Sequence, residues 1–167
     1  MKLAVGDVVV YATHGVGRIV ARERRVIAGS DQEIVVLELE RGLTVTLPVE
    51  RAHQQLRAPV DETDMRRVQQ TLREAGTLSS DVWLKRRRDT QEKLKGGDPV
   101  ELAEVVRDGA QRVRALAARP NKPQLSSGEK DLYIQARRLL SEEIGMVRGV
   151  DEADADAWIE EQLGPAG

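Results

Sequence analysis

The chain has 167 residues, 40% of them hydrophobic and 32% charged, and a formal net charge of −2. That length holds one ordinary domain or two small ones and leaves little room for a deep catalytic cleft, while the apolar share is that of a chain that folds. There is no cysteine, so disulfides, thiolate metal sites and a Cys nucleophile are excluded, and a reducing, cytoplasmic setting is expected.

The opening MKLAVGDVVVYATHG places Asp7 inside a short, glycine-broken apolar run, unlike a signal-peptide core, and no run approaches the length of a membrane span. Four β-rich segments follow: DVVVYA (7–12), GRIVARERRVIA (17–28), EIVVLELE (33–40) and LTVTLPV (43–49). Glycine-bearing turns separate them, so a small, strongly bent sheet or barrel is expected. EIVVLELE alternates like a half-buried strand. At an edge it would offer unpaired backbone groups to a partner.

After LRAPVDETD the period becomes helical. Asp61 is expected to cap a helix with apolar positions Met65, Val68, Leu72 and Ala75, ending at Gly76. A second helix should start at Ser79 or Ser80 and stop at Gly96-Gly97. Asp98-Pro99-Val100-Glu101 is a specific start signal for a third, with the stripe Leu102, Val105, Val106, Val113 and Leu116. Ser126 to Glu129 reads as a capping box ahead of Leu132, Ala136, Leu139, Leu140, Ile144 and Val147, and a last helix near Asp151 is expected to bury Trp158 and Ile159. The fold class is therefore α+β: a β module at 1–57 and a bundle of about five helices at 61–163.

Charge is unevenly spread. Residues 1–57 carry eight Lys/Arg against seven Asp/Glu, residues 58–119 thirteen against eleven, and residues 120–167 five against ten. Within the middle segment, Lys85 to Lys95 holds six cations and two anions, a local basic patch in an acidic chain. It follows Trp83 directly in VWLKRRRD. Trp83 and Leu94 lie three turns apart, so both could be core residues with the cations as a solvated back face. Alternatively, an exposed Trp83 could meet an opened base step while neighbouring guanidinium groups hold phosphates.

The remaining polar clusters have ordinary explanations. His14 sits in a glycine-bounded turn beside Tyr11 and has only His53 as a second imidazole, which argues against a metal site. Ser126 and Ser127 belong to a helix cap and lack a histidine base. Asp151, Glu152, Asp154 and Asp156 lack the glycine and final glutamate of a calcium loop and suit a helix N-terminus instead. With no convergent acid, base, nucleophile or metal set, no enzyme activity and no cofactor are expected.

VGDVVVYATHGVGRI resembles the opening of the CarD/CdnL family of bacterial transcription regulators in the spacing of Gly6-Asp7, Tyr11, His14-Gly15 and Gly17. LTVTLPVE, Leu56-Arg57, the tryptophan with its basic run, GDPVELAEVVRD and LSSGEKDLYIQARRLLSEEI extend the likeness along nearly the whole chain. The resemblance implies a Tudor-like domain that binds the β subunit of RNA polymerase and a helical domain that contacts promoter DNA at the upstream edge of the bubble. Trp83 would be the minor-groove wedge, read largely without base specificity, with Lys85, Arg86, Arg87 and Arg88 as the accompanying cations. The third strand, with Ile34, Val36 and Glu38, would be the edge that pairs with polymerase, and Arg25 and Thr46 would face it. Thr46 departs from the basic residue of some members. The resemblance also implies a monomer, associated with the nucleoid through polymerase. The competing expectation is a protein adaptor in which Trp83 anchors a protein interface and no DNA is touched. The chain lacks the G-x-x-x-x-G-K-[ST] loop that a motor protein sharing the N-terminal fold would need.

Overall fold

A computed structural model describes residues 1–76 and 83–164. The chain divides into two compact units, Met1–Pro59 and a second that begins at Val60.

In the first unit, β1 (Val8–Tyr11), β2 (Gly15–Ile27), β3 (Ser30–Leu39), β4 (Thr44–Pro48) and β5 (Leu56–Arg57) form an antiparallel sheet in the order β4-β3-β2-β1-β5. Inward positions on alternate residues of the long strands build the core: Val9, Ile19, Val35, Leu37 and Leu47 pack with Leu3, Ala52 and Leu56. The sheet bends where the β2–β3 register shifts between Ile19 and Ala21, a bulge at Val20. Gly17 faces Leu39 across the same pair, and a Cβ there would lie 2.7 Å from Leu39 Cδ2, so only glycine permits this approach. At the far end of the hairpin, Ile27 pairs with Ser30 around Ala28 and Gly29, whose φ angles are 51° and 79°. Positive φ at both central residues is what a type I′ turn requires.

Two expectations change here. β3 is interior, paired with β2 on one side and β4 on the other; β4 and the two-residue β5 are the edges. Its alternation reflects one better-covered face and carries no information about which strands lie beside it. Between β4 and β5 the chain forms α1 (Val49–Gln55), which the sequence reading left as irregular and which buries Ala52 against the sheet.

The second unit holds five helices among the described residues: α2 (Glu62–Arg73), α3 (Trp83–Gly96), α4 (Pro99–Ala117), α5 (Ser127–Arg148) and α6 (Glu152–Leu163). Asp61, Asp98, Ser126 and Asp151 each accept a hydrogen bond from a first-turn amide, as expected of caps. Met65, Val68, Leu72, Leu102, Val106, Leu139, Leu140, Ile144 and Ile159 share one core. The α+β class is as expected. Helix ends and stripe ends differ: α2 stops at Arg73, leaving Ala75 exposed, and Val113 and Val147 are exposed because their helices have turned those positions away from the bundle. The expected start of the second helix at Ser79 or Ser80 lies outside the described residues.

Polar ties reinforce the bundle. Glu143, almost fully buried on α5, accepts a hydrogen bond from the Val60 amide at 2.9 Å and so fixes where the chain enters the unit. Arg137 of α5 donates to Asp156 and Glu160 of α6 and to the Tyr133 hydroxyl, at 2.5, 2.6 and 2.8 Å. Burial pulls this guanidinium's pKa down, but those hydrogen bonds outweigh it and hold the pKa above the ordinary value. Trp158 is only partly buried, with the Arg148 guanidinium 4.7 Å from its ring centroid, whereas Ile159 is in the core.

Candidate nucleic-acid interface

α3 has two sides of different chemistry. Leu94, 3% exposed, is the α3 residue that joins the bundle core. One and two turns before it, Thr90 and Arg86 fall on the same side and are half-buried. Arg86 approaches Glu129 of α5 at 3.4 Å, with the two side chains 24% and 14% exposed, and Arg112 of α4 reaches the other oxygen of the same carboxylate at 3.4 Å. Lys93 adds a bond to Glu104 of α4 at 2.8 Å. These three ties and one leucine hold α3 in place, a thin attachment compared with the apolar stripes of α4 and α5.

The reverse side is cationic. Leu84, Arg87, Arg88, Gln91 and Lys95 are all exposed, and their spacing of three, four, seven and eleven residues from Leu84 puts them along one face. Lys85 is exposed as well. Of the basic run expected to act together, Lys85, Arg87 and Arg88 therefore reach solvent and Arg86 is turned towards α5. Trp83 is the first residue of α3, and its side chain lies outside the described residues. The exposed Leu84 and Lys95 were not singled out from the sequence. A helical period drawn from the buried Leu94 identifies both.

Between α3, α4 and α5 lies a cavity of about 240 Å³. Arg86, Arg87, Lys93 and Arg112 line it together with Asp89, Asp108 and Glu129, above Val105, Leu132 and Tyr133. Its charges are of both signs, so it does not define an anion site. Among the described residues, no group of three or more His, Cys, Asp or Glu side chains is placed to hold a metal ion, and no helix is long and apolar enough to cross a membrane.

In the first unit the register gathers the other five residues singled out. Val36 pairs with Thr46, Glu38 with Thr44, Ile34 with Glu23, and Arg25 with Gln32. Directly opposed residues project on the same side of a sheet, so Arg25, Ile34, Val36, Glu38 and Thr46 share one face across β2, β3 and β4. Ile34 is a correction to the expected contact set. It is 0% exposed, as is Val35 beside it, so both faces of β3 are covered at that point and Ile34 offers no surface. Thr46 lies on the edge strand that β3 was expected to be. Arg25 is exposed and ion-paired with Glu23. On the opposite face of this hairpin Arg22 donates to Glu33 at 2.6 Å, and that hydrogen bond holds the Glu33 carboxyl below its ordinary pKa.

A five-stranded antiparallel sheet with an open edge, followed by a five-helix unit with a cationic helix face, is the architecture of a regulator that joins partners and has no active-site cleft. Residues 3–60 match the CarD-like/TRCF RID domain and residues 67–160, more than half of the chain, match the CarD C-terminal domain. The chain belongs to the CarD family, which makes it a transcription-related regulator that interacts with RNA polymerase. It is similar to the Bacillus subtilis (strain 168) protein named "Putative transcription factor YdeB", with 25% identity over 150 residues that cover 89% of this chain and 94% of the relative.

Proposed function

We propose that the protein bridges the β subunit of RNA polymerase and promoter DNA at the upstream edge of the transcription bubble, and that it lengthens the life of the open complex. Residues 1–57 act as the polymerase-binding domain, through β4 and the face carrying Arg25, Val36, Glu38 and Thr46. Residues 61–163 act as the DNA-binding domain, with Trp83 wedged into the minor groove and Lys85, Arg87 and Arg88 on phosphates. Arg86 orients α3 through Glu129. The observation that supports this reading best is the exposed cationic face of α3 in a chain whose net charge is −2.

Separating a base step costs on the order of a few kcal/mol, which phosphate contacts and a replacement stacking surface offset. With so few phosphate contacts, binding to isolated duplex is weak and falls by roughly 0.9 log units per log unit of salt for each contact. Polymerase supplies the rest by tethering the helical unit near the bubble. The test is open-complex lifetime on a ribosomal RNA promoter with cognate polymerase, comparing no factor, wild type and Trp83→Ala. Wild type should lengthen the lifetime and Trp83→Ala should lose most of the gain while still binding polymerase. Equal behaviour of the two proteins would reject the wedge and favour the adaptor.

A further inference from the structure

Leu84 is 69% exposed on the first turn of α3. Single exposed leucines are ordinary on protein surfaces. This one heads the stripe of Arg87, Arg88, Gln91 and Lys95, which is exposed along its length and contains no acid. The opposite side of the helix is held by Leu94, Arg86 and Lys93, so the orientation of the stripe is set by the bundle. Consecutive residues on a helix point about 100° apart. Leu84 and Trp83 therefore serve different directions and do not duplicate each other.

We propose that Leu84 is a second apolar contact to DNA, seated in the opened minor groove while Arg87 and Arg88 hold the phosphates on either side. This rests on the promoter-binding reading above and extends it to a residue outside the tryptophan and its cations. Duplex DNA at a distorted step is the occupant that fits. The stripe is cationic without relief, which a phosphate backbone complements. Leucine is among the side chains that wedge between base steps. A lone apolar residue ringed by cations would make a poor centre for a protein interface, where charged residues are depleted from the buried core.

The test uses the full chain with cognate polymerase and compares open-complex lifetimes for wild type, Leu84→Ala, Leu84→Met, Arg88→Ala and Trp83→Ala, with polymerase affinity measured in parallel. Leu84→Ala should reduce the gain in lifetime by about 3- to 10-fold, the loss expected from leaving most of a leucine side chain unburied. Leu84→Met should retain most of it. Neither should alter the salt dependence, because an apolar contact releases no counterion, whereas Arg88→Ala should lower its slope by about 0.9. A wild-type lifetime for Leu84→Ala, with Trp83→Ala and Arg88→Ala impaired, overturns the Leu84 contact and leaves the promoter reading standing. Wild-type lifetimes for all three overturn both. Weaker polymerase binding by Leu84→Ala would assign the residue to a protein contact and also overturn the proposal.

Discussion

Ala28 carries a backbone strain that its neighbours impose. Ile27 and Ser30 close a two-residue loop, and a right-twisted hairpin favours a turn with positive φ at both central positions. Glycine fills the second position without cost; alanine in the first adopts φ 51°, where its Cβ crowds the carbonyl that follows. Asparagine tolerates this region better. Ala28→Asn is therefore expected to raise unfolding free energy by about 1 kcal/mol in chemical denaturation, with no change in the slope against denaturant. Nearby, Glu33 has its pKa lowered from the ordinary value of 4.5 by the hydrogen bond from Arg22. A carboxylate lowered in the folded state contributes stability that is present above its unfolded pKa and lost as pH falls through the folded value. Glu33→Gln should consequently cost stability at neutral pH and narrow the difference between mutant and wild type in acid. Denaturation midpoints at the two pH values check this, and a gap that stays constant would mean the pair contributes nothing through ionisation.

Helix α3 shows why an element can be foreseen while its role within the unit cannot. Its existence, its end near Gly96 and its thin apolar face follow from the residues. What turns it is a carboxylate distant in sequence: Glu129, placed on the first turn of α5 by the Ser126 cap, draws in Arg86 and Arg112 together. Four consecutive cations look equivalent in a sequence. Only tertiary placement separates Arg86 from its neighbours. Glu129→Gln should leave the two guanidiniums facing each other without a counter-charge and destabilise the unit by about 1–2 kcal/mol. Amides of α3 should show the largest increase in hydrogen exchange and those of α4 and α5 much less; a uniform increase would mean that Glu129 does not act on α3 in particular. The same limit explains other differences. Capping residues announced four helix starts correctly because caps are local. α1 was missed because Pro48 precedes it without a side-chain cap and its seven residues bury only Ala52. Strand alternation in β3 was legible, but strand order depends on pairings remote in sequence. The α5–α6 corner is of this kind too: a Cβ on Gly145 would lie 2.9 Å from the Val150 carbonyl oxygen. Gly145→Ala should destabilise by about 1–2 kcal/mol although alanine is the better helix former, because a backbone oxygen cannot move aside as a side chain can.

For the molecule as a whole, the proposed bridging turns on how the two units are joined. Ala58 and Pro59 alone separate β5 from the Val60 amide that Glu143 holds. A tether this short keeps one contact at high effective concentration once the other has formed, and that concentration falls roughly as the −3/2 power of length for a flexible linker longer than the span. Neither contact then needs to be strong. Inserting a flexible Gly/Ser segment of about twenty residues between Ala58 and Pro59 should leave polymerase affinity unchanged and reduce the gain in open-complex lifetime several-fold. Raising the concentration of the variant until polymerase is saturated should not restore the lifetime, since the loss lies in the second, intramolecular step. Full activity of the lengthened protein would instead mean that polymerase binding alone, through the sheet, produces the effect. The cationic face of α3 would then need another role.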